Sequence, residues 1–382
     1  MTKPLRDIAN PEARLDELEY RLENGPWEAA VEAALQSLTD PFPPIRHRAT
    51  SALAVRVDPT LANLFGGIVL ENEEAMGRAM AELDFEVPEL EPSGMLRQAA
   101  CRILAHTRGE GTESVLQQAA SDPDPDVRYQ ALVALHQVEP DEEDLERVVG
   151  ARLQDSDPEV ATVAAQITAQ QGWTQFTDAL EAIWRRATGK TGLQFAISLA
   201  ELVGEHGGEL DEETIEELVD VLTDALGDER TIAGAARALV SLGADRATEP
   251  LRGVLNRWFV HPILRVEAAG ALIELGDDSG RDFLEDAFDD KRKDVRGYAL
   301  RTAGRLGMSE HFDRLATLAR SEDYHADTAV IALAEWGSDE ALEVLEDVSE
   351  SHPDEDLRRL ANSALLQRRE LGRFEPEMFE FL

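Results

Sequence analysis

The sequence predicts an all-α fold, a right-handed α-solenoid of about ten helical hairpins, and three observations carry that expectation. At 382 residues the chain is too long for one core to keep growing, and it suits an array that lengthens by adding units. Its hydrophobic fraction of 43% is mostly Ala, Leu and Val while aromatics make up 5%, a balance that favours closely packed helices over sheets. Most decisively, one segment recurs along the whole chain.

DVRGYALRTAGRLG at 294–307 shares its frame with DVRYQALVALHQV at 126–138, HPILRVEAAGALIELG at 261–276 and DLRRLANSALL at 356–366. Aligned on a central alanine, the copies fall at Ala49, Ala100, Ala131, Ala164, Ala196, Ala235, Ala268, Ala299, Ala329 and Ala361. The intervals are 51, 31, 33, 32, 39, 33, 31, 30 and 32 residues. Within one copy Val295, Ala299, Ala303 and Leu306 trace the apolar stripe of an amphipathic helix, the second of a pair. The first helix carries its own stripe, as in Ala247, Leu251, Val254, Leu255 and Trp258, or Ala341, Leu342, Leu345 and Val348. DPDPD at 122–126, DSDPE at 155–159, the His261-Pro262 pair and HPDED at 352–356 separate the two helices with aspartate caps and helix-stopping prolines. Eight residues after the alanine stand Gly172, Gly204, Gly243, Gly276, Gly307 and Gly337, each expected to close its helix in a left-handed conformation.

Two intervals break the rhythm. The longest is expected to hold an additional helix and then an acidic loop from Asp84 to Gly94 that is free to move. The interval of 39 contains ELDEETIEELVDVLTDAL, expected to be one lengthened first helix with an acidic outer face. The organisation read from the sequence is residues 1–43 as capping helices and a first repeat helix, 44–369 as the array with its insertion near 58–94, and 370–382 as a tail. Phe374, Met378, Phe379, Phe381 and Leu382 make that tail apolar, suited to covering the last repeat or to docking on a partner.

The turn rich in Asp and Pro, followed by Asp-Val-Arg and then Ala at Asp126, Val127, Arg128, Ala131 and again at Asp294, Val295, Arg296, Ala299, resembles the signature of the HEAT-repeat superfamily, particularly its short PBS-lyase (bilin-lyase) HEAT-like form. The resemblance covers nearly the whole chain. It implies that the second helices line an inner, concave surface. It also implies that the signature arginines Arg46, Arg97, Arg128, Arg265, Arg296 and Arg358 are structural, bonding neighbouring turns. Ala161, Leu193, Ile232 and Ala326 stand where four copies lack the arginine, so the ladder is interrupted. The repeat subtype implies an alternative role as a bilin-lyase-like or chaperone-type accessory assisting cofactor attachment to a client protein, although no residue pattern marks a chromophore pocket.

Charge and motifs narrow the function. With 77 acidic against 37 basic residues the formal net charge is −40, which disfavours nucleic acid as a partner, since phosphate affinity comes from Lys and Arg. Cys101 is the single cysteine, no Cys/His cluster could hold zinc, and none of the eight histidines sits in HExxH or in a His-Glu pair, so neither a metal nor another cofactor is expected. The Gly189-Lys190-Thr191 triplet has Trp184 where a phosphate-binding loop needs glycine, and Asp122, Asp124 and Asp126 lack the glycine and glutamate of a calcium loop. No GxSxG is present. The expectation is a non-enzymatic, cytoplasmic protein with no membrane segment, whose oligomeric state the sequence leaves open.

The remaining signal is the distribution of charge. The ten second helices sum to +7, leaving −47 for everything else, so a neutral or basic groove is expected inside an acidic shell. Offsets of two, five and nine residues from the signature position point away from the buried stripe. They select Arg48, Arg102, His106, Arg237, Tyr298, Arg301 and Arg305 as candidate partner-binding residues, together with Gln130, Gln137, Gln166, Gln170 and Ser241. Such a row suits another protein or peptide, including an acidic segment. Glu267, Glu274 and Glu335 share the row, so it is not uniformly basic.

Four lysines against a fifth of the chain in Asp and Glu fit either adaptation to strong salt or an Arg-favouring composition with ordinary acidic solubility. Thermal melting across a KCl series separates the two: stability that climbs steeply into molar salt supports adaptation, and a flat curve removes it.

Overall fold

The computed structural model describes residues 5–83, 85, 87, 88, 90–107, 111–257 and 260–371, without the side chains of Arg6, Glu370 and Leu371. Trp258 and the apolar tail residues therefore lie outside the described residues. Among these residues the fold is all α, twenty-two helices with no strand. They are α1 (Pro11–Asn24), α2 (Trp27–Ser37), α3 (Pro43–Ala54), α4 (Pro59–Val69), α5 (Glu73–Glu82), α6 (Gly94–Leu104), α7 (Thr112–Ala119), α8 (Pro125–Gln137), α9 (Glu142–Arg152), α10 (Pro158–Gln171) and α11 (Thr177–Trp184). There follow α12 (Gly189–His206), α13 (Glu212–Ala225), α14 (Ile232–Leu242), α15 (Ala244–Leu255), α16 (Pro262–Glu274), α17 (Asp278–Phe288), α18 (Lys293–Arg305), α19 (Phe312–Ala319), α20 (Ala326–Trp336), α21 (Asp339–Ser351) and α22 (Glu355–Leu371). The chain forms two compact units, Met1–Phe195 and Ala196–Leu382. No helix among the described residues is long and apolar enough to cross a membrane.

All ten aligned alanines are at 0% exposure. Each sits on a second helix, and the interiors are filled by the Leu, Val and Ile that flank it. In the second unit one such core runs from Val266 to Leu365 and includes the fully enclosed Phe288. The approach is close at Gly304, where an added Cβ would collide with the Ala332 carbonyl oxygen.

Gly172, Gly243, Gly276, Gly307 and Gly337 take positive φ at the ends of second helices, as expected. Gly204 does not. Helix α12 continues to His206, and Gly207 adopts the positive φ of 77° instead. Gly204 is required for a different reason, because a Cβ there would strike the Ser241 carbonyl on α14. The extra residues of the 39-residue interval are shared between α12, which has 18 residues, the connection after it, and α13, a first helix of 14 residues as against 8 in α7, α11 and α19. The insertion before α6 holds α4 and α5, and in the loop that follows Leu90 is buried, Phe85 meets Trp27 edge-on at 6.2 Å, and Glu91 and Ser93 are exposed.

The turns are held by aspartates that work twice. Asp155 Oδ1 accepts the Asp157 amide at 2.9 Å, which forms the turn before α10. The same carboxylate receives Arg128 from α8, Nη2 to Oδ1 at 2.6 Å and Nε to Oδ2 at 3.0 Å. Arg128 Nη1 also clamps its own turn through the Asp122 and Pro123 carbonyls at 2.9 and 3.1 Å. Arg97 reaches Asp122 in the same way at 3.1 Å, and also pairs with Glu71. An arginine outside the aligned set repeats the whole arrangement: Arg14 on α1 binds Asp40 at 2.9 and 3.0 Å and the Ile8 and Ala9 carbonyls at 2.9 and 3.2 Å. Alignment on alanine passes it over because Glu17 stands three residues later.

The other signature arginines do not bridge to the next turn. Arg46 holds the Asp40 carbonyl at 2.6 Å, and the equivalent position in the following turn is Glu91. Arg296 and Arg358 clamp only their own turns, through the carbonyls of Asp290 and of His352 and Pro353. Arg265 finds the Asp290 carboxylate already taken by Arg292 at 2.9 and 3.0 Å, and turns instead to the Leu255 carbonyl and the Phe283 ring. In the last repeat His352 replaces the turn aspartate, its Nδ1 accepting the Asp354 amide and its Nε2 lying 3.0 Å from the Ser321 carbonyl. A neutral ring protonated on Nε2 satisfies both bonds.

Arg128 and Asp155 are 10% and 3% exposed, so removing one partner strands the other. Arg128→Ala is expected to lower stability by about 3–5 kcal/mol near neutral pH. Burial alone would raise the Asp155 carboxyl, but Arg128 and the Asp157 amide outweigh it and hold it below its ordinary range. The turn carboxylate Asp290, bonded by Arg292, is held down to about 2. Groups depressed in this way contribute above the unfolded carboxylate value of about 3.9 and lose that contribution as pH falls through the folded value. The Arg128→Ala deficit, measured by denaturant unfolding, should therefore shrink at acid pH, where the wild type loses the same pair; a neutral-pH deficit below about 1 kcal/mol would remove the clamp from the stabilising interactions.

Candidate functional site

With the stripe residues buried and the signature arginines tied to turns, what each second helix leaves outward is its row of polar side chains. These touch from one repeat to the next. In the first unit Arg102 Nε donates to Gln130 Oε1 at 2.8 Å, and Gln166 Nε2 to Gln194 Oε1 at 3.2 Å. In the second unit Arg237 Nε donates to Glu201 at 2.8 Å, Ser241 Oγ to Glu205 at 2.7 Å and Arg301 Nη2 to Glu335 at 2.9 Å, while Arg305 pairs with Glu274. The spacing of the repeats thus lines these groups into one face within each unit.

In the second unit the positive charge of the row is offset by glutamates. Its three row arginines each hold a glutamate from a neighbouring second helix, a pairing invisible while each helix is read alone. They line a cleft of about 310 Å³ with Glu267, Tyr298 and Glu335, and Tyr298 is 40% exposed. Glu267 is half-buried and makes no hydrogen bond among the described residues; burial raises its carboxyl above the ordinary range, against the pull of Arg305 and Arg301. The basic charge of α22 is also committed: Arg368 donates to the Ala334 and Glu335 carbonyls at the end of α20, Arg359 pairs with Glu355, and Arg369 with Glu346.

The first unit differs. Arg48 has only Glu19, at 3.9 Å, and Arg102 has the neutral Gln130 amide. Two further basic residues belong to this region although the offset rule passed them over. Arg56, just beyond α3, rests on the Ala52 and Leu22 carbonyls at 3.0 and 3.1 Å, and His47 is exposed in the first half of α3. Partial burial, Arg102 and Arg46 together push the His47 imidazole below its ordinary value, while burial and Arg48 lower Arg56. His106 is exposed and lines a separate cleft of about 570 Å³ with Asn63, Asn72 and Thr107. Gln137 and Gln170 are exposed. Cys101 is fully buried on α6, and burial pushes its thiol up to about 12, far from a nucleophile's range.

A family model described as HEAT repeats matches residues 87–169 and 282–366. No curated protein sequence matches the chain. Among solved structures, the YibA protein of E. coli shares 15% identity over 74% of this chain and 100% of its own, with a TM-score of 0.36. The karyopherin Kap121p bound to Nup53p shares 13% identity over 93% of this chain and 44% of its own, with a TM-score of 0.39, so the chain spans less than half of that protein's length. Human deoxyhypusine hydroxylase in complex with glycerol shares 17% identity over 82% of this chain and 99% of its own, with a TM-score of 0.29. The chain is thus an all-α protein whose stretches 87–169 and 282–366 match HEAT repeats.

Proposed function

We propose that this protein is a non-catalytic interaction scaffold, an adaptor or regulatory subunit that holds another protein along its second-helix face. The observation that carries the reading is the lateral contact of polar side chains from repeat to repeat, seen at Arg102–Gln130, Gln166–Gln194, Arg237–Glu201 and Arg301–Glu335. Such a face offers guanidinium forks and amides at the regular intervals that suit an extended backbone, with Tyr298 as an exposed aromatic contact. The formal charge of −40 favours a protein partner over nucleic acid. A role without chemistry is supported by the deeply buried Cys101 thiol.

Photo-crosslinking amino acids placed at Gln166 and Tyr298, and at Glu143 and Glu216 on exposed first-helix positions, test the assignment in native lysate. The same partner protein is expected from the two second-helix positions and not from the two controls. Crosslinks confined to Glu143 and Glu216 would move the interaction to the opposite face.

A further inference from the structure

We propose that the partner-binding site proper lies in the first unit, on α3 and α6, and that it takes an acidic peptide segment whose carboxylates pair with Arg48 and Arg102. This deepens the scaffold reading and rests on it. The two units treat their row arginines in opposite ways. In the second unit Arg237, Arg301 and Arg305 are each paired with a glutamate supplied by the fold, and Glu201, Glu205, Glu267, Glu274 and Glu335 outnumber them. In the first unit α3 and α6 carry Arg46, His47, Arg48, Arg97 and Arg102, with Arg56 just beyond; Arg97 is tied to Glu71 and Asp122, and the only carboxylate within 4.0 Å of the other four guanidiniums among the described residues is Glu19, loosely placed at 3.9 Å from Arg48. That shortage stands out in a chain with 77 acidic residues against 37 basic ones.

The members of this patch are not equivalent. Arg46 and Arg56 are bonded to backbone carbonyls, Asp40 for the first, Ala52 and Leu22 for the second, and so are held in place by the turn and by helix ends. Arg102 is half-buried and oriented by Gln130, itself 7% exposed, through a neutral acceptor that fixes Nε and leaves Nη1 and Nη2 without a partner among the described residues. Burial lowers the Arg102 guanidinium, the signature of a charge lacking its counterion. Arg102 and Arg46 act on His47, and Arg48 on Arg56, so the positive groups crowd one another. An incoming carboxylate relieves that crowding and forms charge-assisted bonds with an arginine already oriented. Arg48 lies on α3 and Arg102 on α6, neighbouring second helices whose axes in such packing lie about 8–10 Å apart. A peptide with two acidic side chains supplies one carboxylate to each arginine. The acidic residues surrounding the patch repel a long polyanion and confine the attraction to a short segment.

Fluorescence anisotropy of the full chain with a fluorescein-labelled peptide of alternating Glu and Ser tests the site, with the Gln-Ser peptide and an oligo-dT of similar length for comparison. The Glu-Ser peptide is expected to bind and the Gln-Ser peptide not to. Arg102→Gln, with melting unchanged, is expected to weaken binding about tenfold, the worth of one charge-assisted hydrogen bond. Arg102→Lys recovers part of the affinity, and Arg147→Gln on the first-helix side leaves it unchanged. The proposal is overturned if the Glu-Ser peptide fails to bind, if Arg102→Gln binds it equally well, if Arg301→Gln weakens it as much, or if oligo-dT binds more tightly. Failure here alongside productive crosslinks from Gln166 and Tyr298 would leave the scaffold reading standing and remove only this site.

Discussion

Everything in each unit depends on how closely its second helices approach, and that closeness comes from an alanine at the same point of every repeat. Ten of them are wholly enclosed, and at Gly204 and Gly304 even a methyl group would meet a neighbouring carbonyl. A larger side chain at these points would force the helices apart or distort the core. The same closeness brings the outward side chains of neighbouring helices within hydrogen-bond reach. The packing rule that builds the core therefore also builds the polar face.

The turns supply the second constraint. An aspartate carboxylate has enough acceptor sites to nucleate its own turn through a backbone amide and still receive a guanidinium from the preceding repeat. Asp40, Asp122 and Asp155 do both, and Arg14, Arg97 and Arg128 are the donors. The device is local and can be lost one repeat at a time. Arg292 diverts Asp290, His352 replaces an aspartate while keeping the turn, and Arg296 and Arg358 still brace their own loops when no carboxylate awaits them.

Electrostatics then separates the two units. Carboxylates dominate the chain, so the usual condition of an arginine here is to be paired, as along the second unit's face. Others rest on backbone carbonyls, as Arg46, Arg265, Arg296 and Arg358 do. Arg48, with a carboxylate only at 3.9 Å, and Arg102, with a neutral amide, stand on adjacent second helices of the first unit.

Periodicity by itself determined the all-α class, the ten alanine positions, the hairpin frame and five of the six closing glycines, because each of these is a local rule written within one repeat. Asp-Val-Arg at Asp126 and Asp294 likewise announced arginines whose role is to brace a turn. Whether a given arginine also crosses to the next turn was beyond the sequence, since that depends on what occupies the facing loop: Asp155 for Arg128, a carboxylate already engaged by Arg292 for Arg265. Gly204 shows the same limit, its spacing indistinguishable from that of a cap although its role is contact with Ser241 on α14. Charge counted helix by helix suggested a neutral or basic groove, while the pairing of Arg301 with Glu335 and of Arg305 with Glu274 joins residues about thirty positions apart. Local hydrogen bonds and helical period are set by neighbours in the chain, and so the sequence shows them; the neutralisation of a charge is set by neighbours in space, and only the stacking of one repeat on another decides which charges remain for a partner.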